Sequence, residues 1–152
     1  MSKADTVSRV DQPLSHLLRA SNALRAALRH SLADLDLTPV QNTVLHRIAG
    51  TPGSSSAELA RYTHVAAQTM HKLIAELQQR DLLELRPRPG HGRILDAHLT
   101  GKGRQLLKEA DVKARAIEDR MVAGLDEPQR RRLVELLEHC TQALDTPYDD
   151  QR

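Results

Sequence analysis

The chain contains no phenylalanine, no tryptophan and only two tyrosines, Tyr62 and Tyr148. That scarcity disfavours proteins that stack single-stranded bases on aromatic platforms, and any core must come from Leu, Ala, Val and Ile. One cysteine, Cys140, allows neither an internal disulfide framework nor a cysteine-based zinc site. No stretch approaches the ~18 uninterrupted apolar residues of a membrane span. Residues 1–13 are polar rather than signal-like, so a soluble, cytoplasmic chain with no membrane partner is expected. His-Glu-x-x-His, Cys-x-x-Cys and glycine-rich phosphate loops are missing as well. Of the eight histidines, His16 and His46 are the pair to which a carboxylate would have to be added to hold a metal. Scattered histidines are ordinarily surface or hydrogen-bonded residues, so no metal, cofactor or catalytic residue is expected.

A chain of 152 residues is one domain of ordinary size. It can bury roughly 68–70% of its unfolded surface. Its net charge of +2 is too balanced to announce a nucleic-acid partner. Position says more. Arg86, Arg88, Arg93, Lys102 and Arg104 face a single acid, Asp96, whereas Gln105 to the end holds eight basic and eleven acidic residues.

Leucines 14, 17, 18, 24, 28, 32 and 35 recur at helical steps and predict an amphipathic helix over roughly 13–35. Thr38-Pro39 reads as an N-cap followed by proline at the first helical position, and Val40, Val44, Leu45 and Ile48 mark the second helix. Thr51-Pro52-Gly53 breaks it. A short helix capped by Ser55 or Ser56 then runs to Tyr62, with Leu59 and Ala60 inward. A turn at Thr63-His64-Val65 leads into a further helix over about 66–80, with Met70, Leu73, Ile74 and Leu77 on its apolar stripe. Its outer side shows Gln68, Thr69, His71 and Lys72, and no acid occurs between Arg61 and Ala75. Two short helices joined this tightly describe a helix-turn-helix, or, more plainly, an ordinary helical hairpin.

The segment that follows favours the first reading. Residues 82–86 and 93–99 are strand candidates, and Pro87-Arg88-Pro89-Gly90-His91-Gly92 between them is turn-forming and basic. A hairpin placed directly after a recognition helix is a wing. The helix enters the major groove, and arginines on the wing suit the negative potential of a narrow minor groove.

These residues carry a resemblance. Glu58-Leu59-Ala60, the run Thr69 to Leu77, Leu82-Leu83-Glu84, Arg86-Pro87, Arg93 and the closing Leu99-Thr100-Gly101-Lys102-Gly103 resemble, in order and spacing, the multiple-antibiotic-resistance regulator (MarR) family. The likeness extends from the first helix to the last. Asp81 stands where the family has glycine, and aspartate tolerates a left-handed backbone better than most residues. Leu85 replaces a frequent arginine. His91 replaces the aspartate that, in the family, precedes the wing arginine and would orient Arg93.

After the wing, Thr100 caps a long helix carrying Leu106, Leu107, Ala110, Ala114, Ile117 and Met121. Asp126 and Gln129 form a capping box for a last helix striped by Leu133, Leu136, Leu137, Cys140 and Leu144. On that stripe Cys140 reads as a small inert hydrophobe. The expected fold is mainly α with a small β-hairpin wing. It forms a single domain over 1–152, with a winged helix-turn-helix core at about 36–100 and dimerisation helices at 10–35 and 101–146. Long apolar faces at both ends favour a homodimer, and the resemblance implies the same. Two recognition helices would then read the half-sites of a pseudo-palindromic operator in double-stranded DNA.

The expected function is a sequence-specific transcriptional repressor. Candidate DNA contacts are Gln68, Thr69, His71 and Lys72 in the major groove, Arg88, His91 and Arg93 on the wing, and Ser55 or Ser56 near a helix N-terminus. The resemblance implies release by a small aromatic or amphipathic ligand, with His16, Ser21, Leu45 and Ile48 as candidates to line its cleft. The competing class is a winged-helix protein-interaction module without DNA binding, which the histidine at position 91 makes conceivable. A small hydrolase finds no nucleophile–base pair. Light scattering should return about 34 kDa, twice the 17.0 kDa of one chain, and a stable micromolar monomer would overturn the palindromic-site expectation.

Overall fold

The computed structural model describes residues 12–145. Its elements run α1 (Pro13–Ser31), a 3-10 turn (Ala33–Leu35), α2 (Pro39–Gly50), β1 (Ser54–Ser55), α3 (Ser56–Thr63) and α4 (Ala67–Gln79). They continue through β2 (Leu83–Arg88), β3 (His91–Leu99), α5 (Gly101–Met121) and α6 (Glu127–Asp145). The chain divides into two compact units, the first ending at Ile117 and the second beginning at Glu118. The ends of the two outer segments expected to mediate dimerisation, residues 10–11 and 146, lie outside the described residues. Among the described residues no helix is long and apolar enough to cross a membrane.

The first unit is built on one aliphatic core. Val44, Leu45 and Ile48 of α2, Leu59 of α3, and Met70, Leu73, Ile74 and Leu77 of α4 pack with Leu82, Leu83, Ala97 and Leu99 of the sheet region. Leu107 and Ala110 of α5 close it. Each fully buried side chain of this size contributes roughly 1.5–3 kcal/mol, so the stripe of α4 alone anchors that helix firmly. In the second unit, α6 shows Val134, Leu136, Leu137 and Leu144 to solvent, and Cys140 is exposed with them. Within one chain this stripe, Cys140 included, is therefore not covered.

Local chemistry sets the helix starts. Thr38 and Gln41 form a reciprocal capping box at α2, with Pro39 in the first turn. Asp126 and Gln129 exchange the same pair of bonds at 2.9 and 2.8 Å before α6. Three departures from the expected elements stand out. The first helix stops at Ser31 rather than near 35, because Leu32 turns wholly into the core and Asp36 takes a left-handed backbone at φ 50°. Arg80 holds that turn by donating to the carbonyls of Asp36 and Leu35 at 2.6 and 3.2 Å. Val40, expected on the inner stripe of α2, is 40% exposed, one position off the buried Gln41, Val44, Leu45 and Ile48.

The wing is the third departure. Its strands reach further than expected, through Arg88 and from His91, which leaves only Pro89 and Gly90 as the turn. Gly90 supplies the positive φ of 77° that such a short turn needs. A third strand was also missed: β1 pairs antiparallel with β3, Ser54 opposite Ala97 and Ser55 opposite Asp96, giving the order β1-β3-β2. Two residues are too short for any alternation to register.

The junction between α4 and α5 uses backbone against backbone. Asp81 adopts φ 60°, the conformation for which glycine or aspartate is suited. The Thr100 hydroxyl donates to the Asp81 carbonyl at 2.6 Å, the Thr100 amide to Leu82 at 3.2 Å, and the Lys102 ammonium to Arg80 at 2.9 Å. Three successive carbonyls just past the end of α4 are thereby satisfied. Gly103 lies so close that a Cβ there would collide with the Leu82 carbonyl, whereas one at Gly101 would meet nothing. Gly103→Ala should cost about 3 kcal/mol, the upper end of overpacking, against a near-neutral Gly101→Ala. Thermal unfolding checks this, with a Tm drop of roughly 6–12 °C expected for the first variant.

Candidate nucleic-acid interface

Helices α3 and α4 form the expected helix-turn-helix. Ser55 caps α3: its hydroxyl accepts from the Glu58 amide at 3.3 Å, and Glu58 reaches back to accept from the Ser55 amide at 2.6 Å. His64 ends the helix at φ 52°, and the Val65 amide bonds the Ala60 carbonyl at 3.1 Å, which tightens the turn into α4. On α4, Gln68, His71, Lys72 and Ala75 share one exposed stripe, opposite the buried Met70, Leu73, Ile74 and Leu77. Thr69 is exposed beside that stripe. Gln68, Thr69 and Lys72 have no side-chain partner among the described residues, so their donors and acceptors are available to a ligand. The His71 Nδ1 lies 2.8 Å from the Ala67 carbonyl, which directs the other ring nitrogen outward.

The wing is an antiparallel ladder with a break. Pro87 pairs with Leu95 but Arg88 pairs with His91, so Gly92, Arg93 and Ile94 form a bulge on β3. Arg93 and His91 are exposed, and their side chains make no hydrogen bond or ion pair among the described residues. Ser55, Ser56, His71 and Arg93, from four different elements, line one groove of about 380 Å³ between α4 and β3. Ser56 Oγ is buried there with no hydrogen-bond partner among the described residues.

Arg88, expected to meet DNA on the wing, is instead paired within the protein. Its Nε donates to Asp96 Oδ1 at 2.8 Å, and its Nη2 donates to Glu58 Oε2 and to the Gly53 carbonyl, both at 3.0 Å. Its side chain is only 27% exposed, and the guanidinium is committed to the protein. The physical reason is Asp96, a carboxylate on a buried position of β3 that requires a paired cation. Neither Glu58 nor Asp96 was singled out as a partner from the sequence. The available signal was Asp96 itself, the lone acid in a basic stretch.

The remaining candidates separate. Leu45 and Ile48 are 0% and 1% exposed within the core. His16 is exposed on α1 and Ser21 half-buried there. His46 pairs with Asp111 of α5 at 2.8 Å, and among the described residues no group of three metal-ligating side chains occurs. A cleft of about 810 Å³ opens instead where α1, the start of α2 and the end of α4 meet. Arg25, Arg29 and Arg80 line it together with Leu37, Pro39 and Val40. Arg25 and Arg29 have no ion pair among the described residues.

A helix-turn-helix set against a three-stranded sheet whose hairpin projects basic residues beside the second helix defines a winged-helix regulator. The comparisons agree. A family model described as MarR family matches residues 35–94. The HTH-type transcriptional repressor Rv2887 of Mycobacterium tuberculosis is 36% identical over 129 residues, 84% of this chain and 93% of the relative. Its structure with salicylic acid superposes at a TM-score of 0.71 with 35% identity, covering 86% of this chain and 97% of that one. Its complex with DNA gives 0.70 and 35%, covering 86% and 98%. The chain belongs to the MarR family of transcriptional regulators.

The capping site has a measurable pH signature. The Ser55 amide, the Ser55 hydroxyl and Arg88, in that order, hold the Glu58 carboxyl down at about 2, from 4.5. A depressed carboxylate stabilises the fold fully above about pH 4.5, and that contribution disappears as pH falls toward 2. Solvent screens part of the effect, since the Glu58 side chain is 41% exposed. Glu58→Gln should flatten the loss of Tm across this acid window. Ser55→Ala should lower stability at neutral pH by about 1 kcal/mol.

Proposed function

We propose that this chain acts in the cytoplasm, without catalysis, as a homodimeric repressor that reads a pseudo-palindromic operator and is released by a small aromatic acid. The observation that carries this reading is the outer face of α4, where Gln68, Thr69 and Lys72 are unpartnered and His71 shares a groove with the exposed Arg93 of the wing. Gln68 supplies the amide geometry that pairs with adenine, and Lys72 a mobile cation for phosphate. His71, Arg93, Ser55 and Ser56 share the groove between them, and His91 stands at the wing tip. Residues 36–100 form the DNA-binding core in this reading. The segments 10–35 and 101–146 supply the dimer contacts. Leu14, Leu17 and Leu18 are 63%, 40% and 55% exposed on α1, an apolar face that a second copy would cover.

The ligand assignment follows from charge and shape. Rv2887 has been crystallised with salicylic acid, an aromatic ring bearing a carboxylate. In this chain the cleft beside Arg25 and Arg29 offers guanidinium groups above apolar Leu37, Pro39 and Val40, which suits an aromatic carboxylate better than the core positions Leu45 and Ile48 do. His16 and Ser21, on the same helix, remain candidates for a wall contributed near the dimer contact. A ligand held between α1 and the end of α4 would favour one spacing of the recognition helices over another.

Titration against the DNA upstream of the protein's own gene tests the whole reading. Lys72→Ala should weaken binding across sequences and reduce the salt slope by about one. Gln68→Ala should relax discrimination at one or two base positions, by about 1–3 kcal/mol. Salicylate should release the wild-type complex and act about tenfold more weakly on Arg29→Ala, the loss of one charge-assisted bond. Salt-independent binding, or none, would return the chain to a protein-interaction role.

A further inference from the structure

We propose that Arg88 is the positioning residue of the wing: its guanidinium closes the bulge that carries Arg93 and ties it to the start of α3. The proposal rests on the DNA-binding reading and adds to it how the minor-groove arginine is aimed. The backbone of Arg88 pairs with His91 on the tip side of the register break, while its side chain bonds Asp96 on the root side. Gly92, Arg93 and Ile94 lie between those two attachment points. One side chain therefore spans the irregular segment and sets its length.

The same guanidinium leaves the hairpin. It reaches Glu58 on the first turn of α3 and the carbonyl of Gly53, whose φ of 87° lies in the left-handed region. The Gly53 amide in turn donates to Ala97 of β3 at 3.1 Å. The three bonds differ in direction, and a planar fork meets all of them where a single ammonium cannot. Position 91, where related wings carry an orienting aspartate, holds a histidine with no side-chain partner among the described residues. Arg88 and Asp96 do the orienting instead, from behind the bulge rather than from its tip. The guanidinium commits its Nε and Nη2 to two carboxylates and a carbonyl, which leaves Nη1 alone without a protein acceptor among the described residues.

Arg88→Lys retains the cation and loses the fork, which makes it the decisive variant. In the free protein, hydrogen exchange of amides 91–96 should accelerate about tenfold while amides 70–79 of α4 stay unchanged. On the upstream duplex, Arg93→Ala should cost about tenfold in the wild-type background and under about threefold in Arg88→Lys, because a misaimed arginine has little left to lose. Equal costs in both backgrounds overturn the proposal. Unchanged wing exchange overturns it as well. Should Arg88→Lys fail to fold, Glu58→Gln removes the charge behind one of the three bonds, leaves Asp96 paired, and should give both effects at smaller amplitude. A wild-type protein that does not bind the duplex defeats the DNA-binding reading, and the exchange experiment then decides the clamp alone.

Discussion

A carboxylate on a buried strand position has to be neutralised by a partner, and in this protein that requirement organises the recognition face. Asp96 lies at 8% exposure on β3, opposite Ser55 of β1 and Arg86 of β2. Water cannot serve it, so Arg88 does, and the cation brought in for Asp96 is then shared with Glu58 and Gly53. Three segments that are distant in sequence become one surface: the loop before α3, the first turn of α3 and the wing. The order of the sheet follows, because β3 sits between β1 and β2 and carries the acid that both neighbours surround.

The rest of the first unit is aliphatic. Without aromatic rings, packing must come from many branched side chains of similar size, and α2, α4, the sheet and α5 each contribute several. Such a core sets helix positions through interdigitation rather than through a few large anchors. It leaves the polar outer stripe of α4 to be chosen for its ligand. The single ring contact among the described residues, Arg47 at 4.6 Å from the centroid of Tyr62, sits on the surface and ties α2 to α3 without entering the core.

Much of this was legible beforehand because it depends on local chemistry. The caps at Thr38, Ser55, Thr100 and Asp126 are readable from a few neighbouring residues, and each holds. The apolar stripe of α4 and the left-handed Asp81 are local in the same sense. What escaped depends on contacts between distant segments. Leu32 leaves its helix to fill the core, Ser54 and Ser55 become a strand only because β3 is beside them, and Arg88 turns inward to an acid eight residues on. A basic side chain in a turn-rich stretch looks solvent-facing until its partner is known. Gln68, Thr69, His71 and Lys72 were readable as an outer face because helical period alone fixes their side.

The close approach at Gly103 has a mechanical consequence. Ordinary helix contacts pass through side chains, whose rotamers can adjust and absorb a small displacement. Here the first turn of α5 rests directly on the Leu82 carbonyl, just beyond the end of α4, and Thr100 and Lys102 grip the two carbonyls before it. Nothing compressible lies in between. A tilt of α5 is therefore delivered to the end of the recognition helix almost undiminished, as by a rigid lever, and a displacement of a few tenths of an ångström at this joint grows with distance toward the far end of α4.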